Sequence, residues 1–230
     1  QRSFRINRLH EDMRIMKKNA TNPKDDFSVA LGLTDYGNPI CYTITSVVIA
    51  MNLNKIMPAP YSWIYLLGVI VSLVFGFAIP TVKILVGMGK MKFSLPTGLV
   101  FYVNAGLMVS GLMLFKNMIP VSLPVLACVT AASVLFLYAM YKKVGKFNPI
   151  AIMTGAVGYL FIYASLITQS VRTANWLALV FYGIAVACYL FLIGLGLKAD
   201  LMDARVHWIL ELTNICCQAS VAVGTVLLFM

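Results

Sequence analysis

The chain has 230 residues, 60% of them hydrophobic and only 11% charged, with a mean hydropathy of +0.86. Soluble domains carry about 25% charged residues, so this composition excludes an ordinary soluble domain and points to an integral membrane protein. In that setting the net charge of +10 reads as membrane topology, and no nucleic-acid partner is expected.

Residues 1–26 are polar, with seven basic and four acidic side chains. Within them Ile6, Leu9, Met13 and Met16 recur at helical steps. Two readings fit equally: an amphipathic helix lying on the membrane surface, or a helix packed on a cytoplasmic domain. No signal peptide is expected, because the first apolar span comes only after this charged segment. Asn22-Pro23 closes it, and the residues up to Thr34 lead into the first span.

Seven apolar runs follow, at 38–57, 62–82, 96–115, 121–141, 149–168, 176–197 and 205–229. Each is near the ~20 residues that a spanning helix needs. The expected fold class is therefore all-α: a polytopic membrane protein with seven transmembrane helices. Short connections make sequential helices antiparallel neighbours. Fifteen Lys and Arg fall on the side of the N-terminus, and only Lys55, Lys116 and Arg172 fall on the other. This positive-inside bias puts the N-terminus in the cytoplasm and the C-terminus outside, in a membrane expected to be the bacterial inner (plasma) membrane. Trp63 and Trp176 open the second and sixth spans at the outer face, and Trp208 lies near the inner face. Anchoring at the interfaces is the first reading of these rings, and stacking on a ligand is the second. Pro80 is expected to bend or break the second span, with Lys83 snorkelling to the headgroups. Gly87 and Gly89 make the following connection a candidate moving element, while Pro120 and Pro124 mark the entry to the fourth span.

The spans repeat. Asn38-Pro39-Ile40 opens the first and Asn148-Pro149-Ile150 the fifth, an offset of 110 that also carries Asn104 onto Asn214. Asn-Pro alone has a local explanation, with Asn as N-cap and Pro in the first turn. Trp63 matches Trp176 if three residues are inserted, and the second and sixth spans both close on a Gly-x-Gly pattern, at Gly87 and Gly194. In order, these matches divide the chain into a cytoplasmic segment (1–34), a three-helix repeat (35–117), a linker helix (118–144) and a second three-helix repeat (145–230). One linker helix leaves both repeats in the same orientation, so the repeat is parallel.

A 3+1+3 order of spans with this asparagine pair resembles the SWEET and PQ-loop sugar carriers and the PnuC vitamin-precursor transporters. In SWEET-type carriers the third helix of each bundle offers an asparagine to the substrate, so the resemblance implies that role for Asn104 and Asn214. The chain departs from the pattern in having no Pro-Gln dipeptide, no mid-helix hinge prolines in spans one and five, and none of PnuC's tryptophan-rich motifs. The predicted orientation is that of PnuC-like proteins and opposite to that of SWEETs.

With a helical rise of ~1.5 Å per residue, Asn104 and Asn214 lie roughly 12–13 Å into a hydrocarbon core of ~30 Å. Repeat-built transporters hold their substrates at such depths, and an interhelical hydrogen bond is the plainer role for each side chain. The last span also carries His207, Glu211 and Gln218, which share one helical face with Asn214. Glu211 is the one carboxylate expected inside a span, and a buried carboxylate one turn from a histidine suits proton binding and release. A static Glu211–His207 pair is the alternative. Thr213 extends the face, and Ser110 of the third span is expected to approach it. Small residues four apart, Gly106 with Ser110 and Gly183 with Ala187, are candidates for close helix packing.

Cys41, Cys128, Cys188, Cys216 and Cys217 all lie in apolar runs without metal-ligand spacing. They read as small buried residues, with a Cys216–Cys217 redox pair as the minor alternative. No catalytic constellation, metal site or cofactor is expected. The function that these features favour is transport of a small polar solute by alternating access, with Asn104, Asn214 and Gln218 contacting solute and Glu211 with His207 coupling protons. The expected partners are the lipid bilayer, that solute, and a second copy or membrane partner subunits. Two alternatives are a sensor or assembly subunit anchoring a soluble domain, and a lipid-modifying enzyme working with His207, Glu211, Asp200 and Asp203.

Overall fold

The computed structural model describes residues 28–91, 97–120, 122, 124–125, 127–133, 135, 147–198 and 204–230. The expected surface helix of 1–26, and Asp200 and Asp203, lie outside the described residues. So does part of the fourth span, of which residues 124–125, 127–133 and 135 are described and helical.

Every regular element among the described residues is a helix. Ser28 opens the first, α1 (Val29–Asp35), its hydroxyl accepting from the Leu31 amide at 3.2 Å. Then come α2 (Gly37–Met51), a single turn α3 (Leu53–Ile56), α4 (Tyr61–Gly87) and α5 (Thr97–Met118). Beyond the linker lie α6 (Phe147–Arg172), α7 (Trp176–Lys198) and α8 (Ala204–Phe229). Among the described residues four segments are long and apolar enough to cross a membrane: Tyr61–Gly87, Gly98–Met118, Trp176–Leu195 and Arg205–Phe229. The molecule is an integral membrane protein by this measure. Its lipid-facing surface is legible in exposed stripes at helical steps, Ile40, Ile44, Val47 and Met51 on α2 and Leu67, Ile70, Val74 and Phe77 on α4.

Two helix boundaries differ from expectation. The run at 38–57 is not one helix: α2 stops at Met51, where Asn52 leaves the helical region and its amide folds back onto the Val48 carbonyl at 3.0 Å. Pro80 does not break the second span, and α4 runs through it to Gly87. Proline removes one ladder bond there, the one to the Gly76 carbonyl. The turn is held from outside, because α1 packs against it with Gly32 on Pro80 and Ile84.

The six long helices form a ring in which each touches the next and α8 closes on α2. Paired contacts give the directions. Along α4 and α5, Gly68 meets Ser110, Ser72 donates to the Val103 carbonyl at 2.9 Å, and Phe75 stacks on Tyr102, so the two run antiparallel. Along α5 and α6, Asn104 meets Gly155, Met108 meets Gly158, Phe115 meets Phe161, and Arg172 donates to the Met118 carbonyl. These two helices are parallel. Antiparallel α7 and α8 join through Tyr182 with Thr225 and through Asn175, which caps α7 at the Ala178 amide and donates to the Leu227 carbonyl.

The two ends of the ring differ. At the end where α4 and α7 begin, Ile49, Tyr65, Leu114, Leu166, Tyr182 and Val221 belong to one buried apolar cluster. At the other end, where α2, α5, α6 and α8 begin, the interior is hollow, and polar side chains stand among apolar ones.

Glycines set the closest approach. A Cβ on Gly106 would lie 2.8 Å from the Ser72 amide nitrogen, and one on Gly68 would lie 2.8 Å from the Gly106 carbonyl oxygen. Gly183, the other expected small-residue contact, meets nothing within 4 Å. It faces outward from the α7–α8 contact and so does not set any packing distance. Gly106→Ala should therefore lower stability by about 1–3 kcal/mol through overpacking, while Gly183→Ala is neutral or slightly stabilising. Unfolding of the two variants in detergent, side by side, checks the contrast.

Candidate functional site

The hollow is a cavity of about 320 Å³ lined from every long helix of the ring and from the last residue of α1. The first two turns of α2 contribute Asn38 and Tyr42, α4 contributes Ser72 and Gly76, and α5 contributes Asn104. Across from them stand Tyr159 of α6, Tyr189 of α7, and Glu211, Asn214 and Gln218 of α8. Seen along α8, the lining extends over residues 210–218, a depth of roughly 12 Å.

Four of the five residues singled out from the sequence thus share one space. Asn104, Glu211, Asn214 and Gln218 all line the cavity. His207 is not among its lining residues and is half-buried at the start of α8. The side chain of Asn104 is seated against Gly155, where an added Cβ would come within 2.5 Å of its Oδ1. Gln218 is almost fully buried and donates to the Tyr159 hydroxyl. Tyr159 in turn packs against Tyr189 at 4.9 Å and Tyr163 at 5.7 Å between ring centroids, so one wall of the cavity is aromatic. Ser110, expected to approach the polar face of α8, pairs instead with the Tyr42 hydroxyl of α2 at 3.3 Å; neither it nor Thr213 is among the lining residues.

The charged partner of Glu211 is Lys83 on α4, in direct contact with Glu211 Oε1 and 2.8 Å from Asp35 Oδ2. This corrects two expectations. Lys83 does not snorkel to the headgroups, since its side chain is only 13% exposed, and Glu211 is not the only carboxylate drawn into the bundle. Asp35 is 6% exposed. The reason is local: α1 docks against the final turns of α4 and delivers Asp35 to Lys83. Asn38 completes the group, its amide nitrogen donating to Asp35 Oδ1 at 2.8 Å and to Glu211 Oε2 at 3.0 Å. Asn38 is thus not the N-cap that Asn-Pro suggests. Tyr36 occupies the cap position without a side-chain bond, and the Asn38 amide is committed to the two acids.

Two carboxylates facing one ammonium leave one negative charge uncompensated if all three ionise. A buried cluster avoids that charge by holding a proton or a second cation. The end of the cavity beside Asp35, Lys83 and Glu211 thus has the charge balance to hold a proton or a second cation, and the deeper end offers amides, hydroxyls and aromatic faces among apolar side chains. None of this is a metal centre of the usual kind: among the described residues no group of three or more His, Cys, Asp or Glu is arranged to hold a metal ion.

Sequence reasoning missed Asp35, Lys83, Tyr42, Tyr159 and Tyr189. Lys83 carried a readable signal, because Ile84, Leu85 and Val86 continue the apolar run beyond it. The cysteines of the 216–217 pair diverge as adjacent helical positions do. Cys217 is buried beside the Tyr163 hydroxyl, and Cys216 is exposed, its sulfur 3.9 Å from that of Cys188.

No protein-family model matches the chain, and no curated protein or solved structure matches it either.

Removing the ammonium while keeping both acids should be the most disruptive change at the site. Lys83→Met is expected to cost about 3–5 kcal/mol of stability, because it leaves carboxylates buried without a counter-charge. Adding Glu211→Gln to that variant should restore part of the loss. A double-mutant cycle by denaturant unfolding in detergent reads the coupling, and strict additivity would show that the two side chains do not act together.

Proposed function

We propose that the protein moves a small polar solute across a membrane by alternating access. Asn104, Asn214 and Gln218 contact the solute in this reading, and the Asp35–Lys83–Glu211 cluster couples its movement to protons. The observation that carries it is the asymmetry of the ring: a cavity that holds acids, amides and hydroxyls among apolar side chains and ends near mid-bundle, backed at the other end by a packed apolar cluster. A carrier caught open to one side has that shape, with its binding groups near the membrane midplane.

The reading includes seven spans, with α2, α4 and α5 as one repeat, α6, α7 and α8 as the other, and the linker as the remaining span. The parallel course of α5 and α6 supports a linker that crosses back. The pairings support a parallel repeat, for α5 packs on α6 as α8 packs on α2, and α4 on α5 as α7 on α8. The orientation follows from the positive-inside rule. Lys55, Lys116 and Arg172 all lie towards the apolar end, which makes the cavity open to the cytoplasm of what we take to be a bacterial inner membrane. Trp63 and Trp176, 70% and 63% exposed, fall at the apolar end as outer-face anchors.

Two measurements test this. Proteoliposomes given a mixed metabolite pool should take up at least one component, with uptake reduced about tenfold or more by Asn104→Ala or Asn214→Ala, as for loss of one buried hydrogen bond or two. Glu211→Gln should abolish stimulation by an imposed pH gradient. Equal contents in all vesicles, protein-free ones included, would sink the reading. Separately, a reporter fused after Met230 should be active only when it is active outside the cytoplasm, and the opposite result would reverse the orientation.

A further inference from the structure

We infer that the solute carries an ammonium group, and that this group docks beside Asp35 and Glu211 in place of the proton that balances them. The inference rests on the transport reading for its biological sense, though the binding site stands or falls by itself. Three features at this end of the cavity call for an added cationic donor. The first is the second negative charge: Lys83 and Asn38 give each carboxylate oxygen a donor, but one lysine serves two acids. The second is Asn38 Oδ1. Both hydrogens of the Asn38 amide point at carboxylates, so its oxygen must point elsewhere, and it is buried with no donor among the described residues. The third is the Gly76 carbonyl. Its helical donor would be the amide of residue 80, and proline has none.

These acceptors are neighbours. Gly76 lies against Pro39, the residue after Asn38, and both Gly76 and Asn38 line the cavity with Asp35 and Glu211. A site with surplus acceptors and surplus negative charge is met best by a group with several donors, a positive charge and no acceptor. A primary ammonium has three donors and nothing else. A hydroxyl would satisfy one acceptor and leave the charge; a carboxylate or phosphate would be repelled. A quaternary ammonium brings the charge without the donors, although the rings of Tyr42, Tyr159 and Tyr189 around the cavity give it some attraction. Lys83 does not already fill this role, since its ammonium is held between the two carboxylates. The rest of the solute then extends towards Asn104, Asn214 and Gln218, whose amides suit hydroxyl or carbonyl groups.

Calorimetric titration of the purified full-length protein in detergent with ethanolamine, choline and ethylene glycol tests the inference without any transport. These probes share a two-carbon hydroxyl end and differ only in the other group. Ethanolamine should bind, choline about tenfold or more weakly, and ethylene glycol not measurably, as expected for charge-assisted hydrogen bonds. Glu211→Gln leaves the remaining Asp35–Lys83 pair neutral, and it should weaken ethanolamine about tenfold to a hundredfold. Asp35→Asn repeats that test if the first variant does not fold. Binding of choline as tight as that of ethanolamine, equal binding of ethylene glycol, or no ethanolamine binding overturns the ammonium site. The two proposals separate cleanly. Ethanolamine binding with no solute uptake by vesicles removes the transport reading alone, and uptake of an uncharged solute without ethanolamine binding removes the ammonium site alone.

Discussion

The bundle is organised at one end by a single lysine. Lys83 leaves the last turns of α4 and is held between Asp35, at the end of α1, and Glu211, one-third of the way along α8. A charge buried among apolar helices is costly unless it is paired and hydrogen-bonded, so the three elements that supply this pair are tied together. The Asn38 amide bridges the two acids and brings in the first turn of α2. Four segments thus meet at one polar knot, and it is there that the ring of helices, entered at α2, closes on α8. The knot is also unbalanced, with two acids to one base. That imbalance gives a structural contact the chemistry of a binding site.

The rest of the architecture explains why such a knot can face a cavity. A tight apolar cluster at the opposite end gives the ring its cohesion. Towards the polar end the helices are tied by specific polar bonds and leave space between them, and glycine approaches hold them from mid-bundle outward. Gly68 and Gly106 draw α4 and α5 together, and Gly155 and Gly158 do the same for α5 and α6. The second of these contacts seats Asn104: Gly155 leaves room for an amide side chain where any larger residue would displace it. Small residues let helix backbones approach in a membrane, where water does not drive them together. Here they also decide where the polar side chains stand.

Proline and asparagine act at the same place by altering the backbone ladder. Pro80 leaves α4 continuous but takes away the donor of the Gly76 carbonyl at the cavity wall. Asn38 gives up the capping role that its position before a proline suggests and spends its amide on two carboxylates. Each residue costs a local interaction that an ordinary helix would have, and each adds an acceptor or donor to the same cavity. Local rules broken together at one location are what a functional site produces.

The amino-acid sequence by itself determined the membrane class, the ends of most long helices within a few residues, and the four polar side chains Asn104, Glu211, Asn214 and Gln218 that line the cavity. These depend on composition and on periods of three and four residues, which are local properties. The partners of those side chains were decided only by tertiary structure. Asp35 and Lys83 both looked like residues at the edges of apolar runs, where a charge reaches water without help. They became interior residues because α1 folds onto the end of α4 and α8 returns beside α2, bringing together positions 35, 83 and 211. His207 stood closer to Glu211 in sequence, yet the cation in contact with that carboxylate comes from a helix 128 residues away. Pairing between helices depends on which faces meet, and no period within a single helix contains that information.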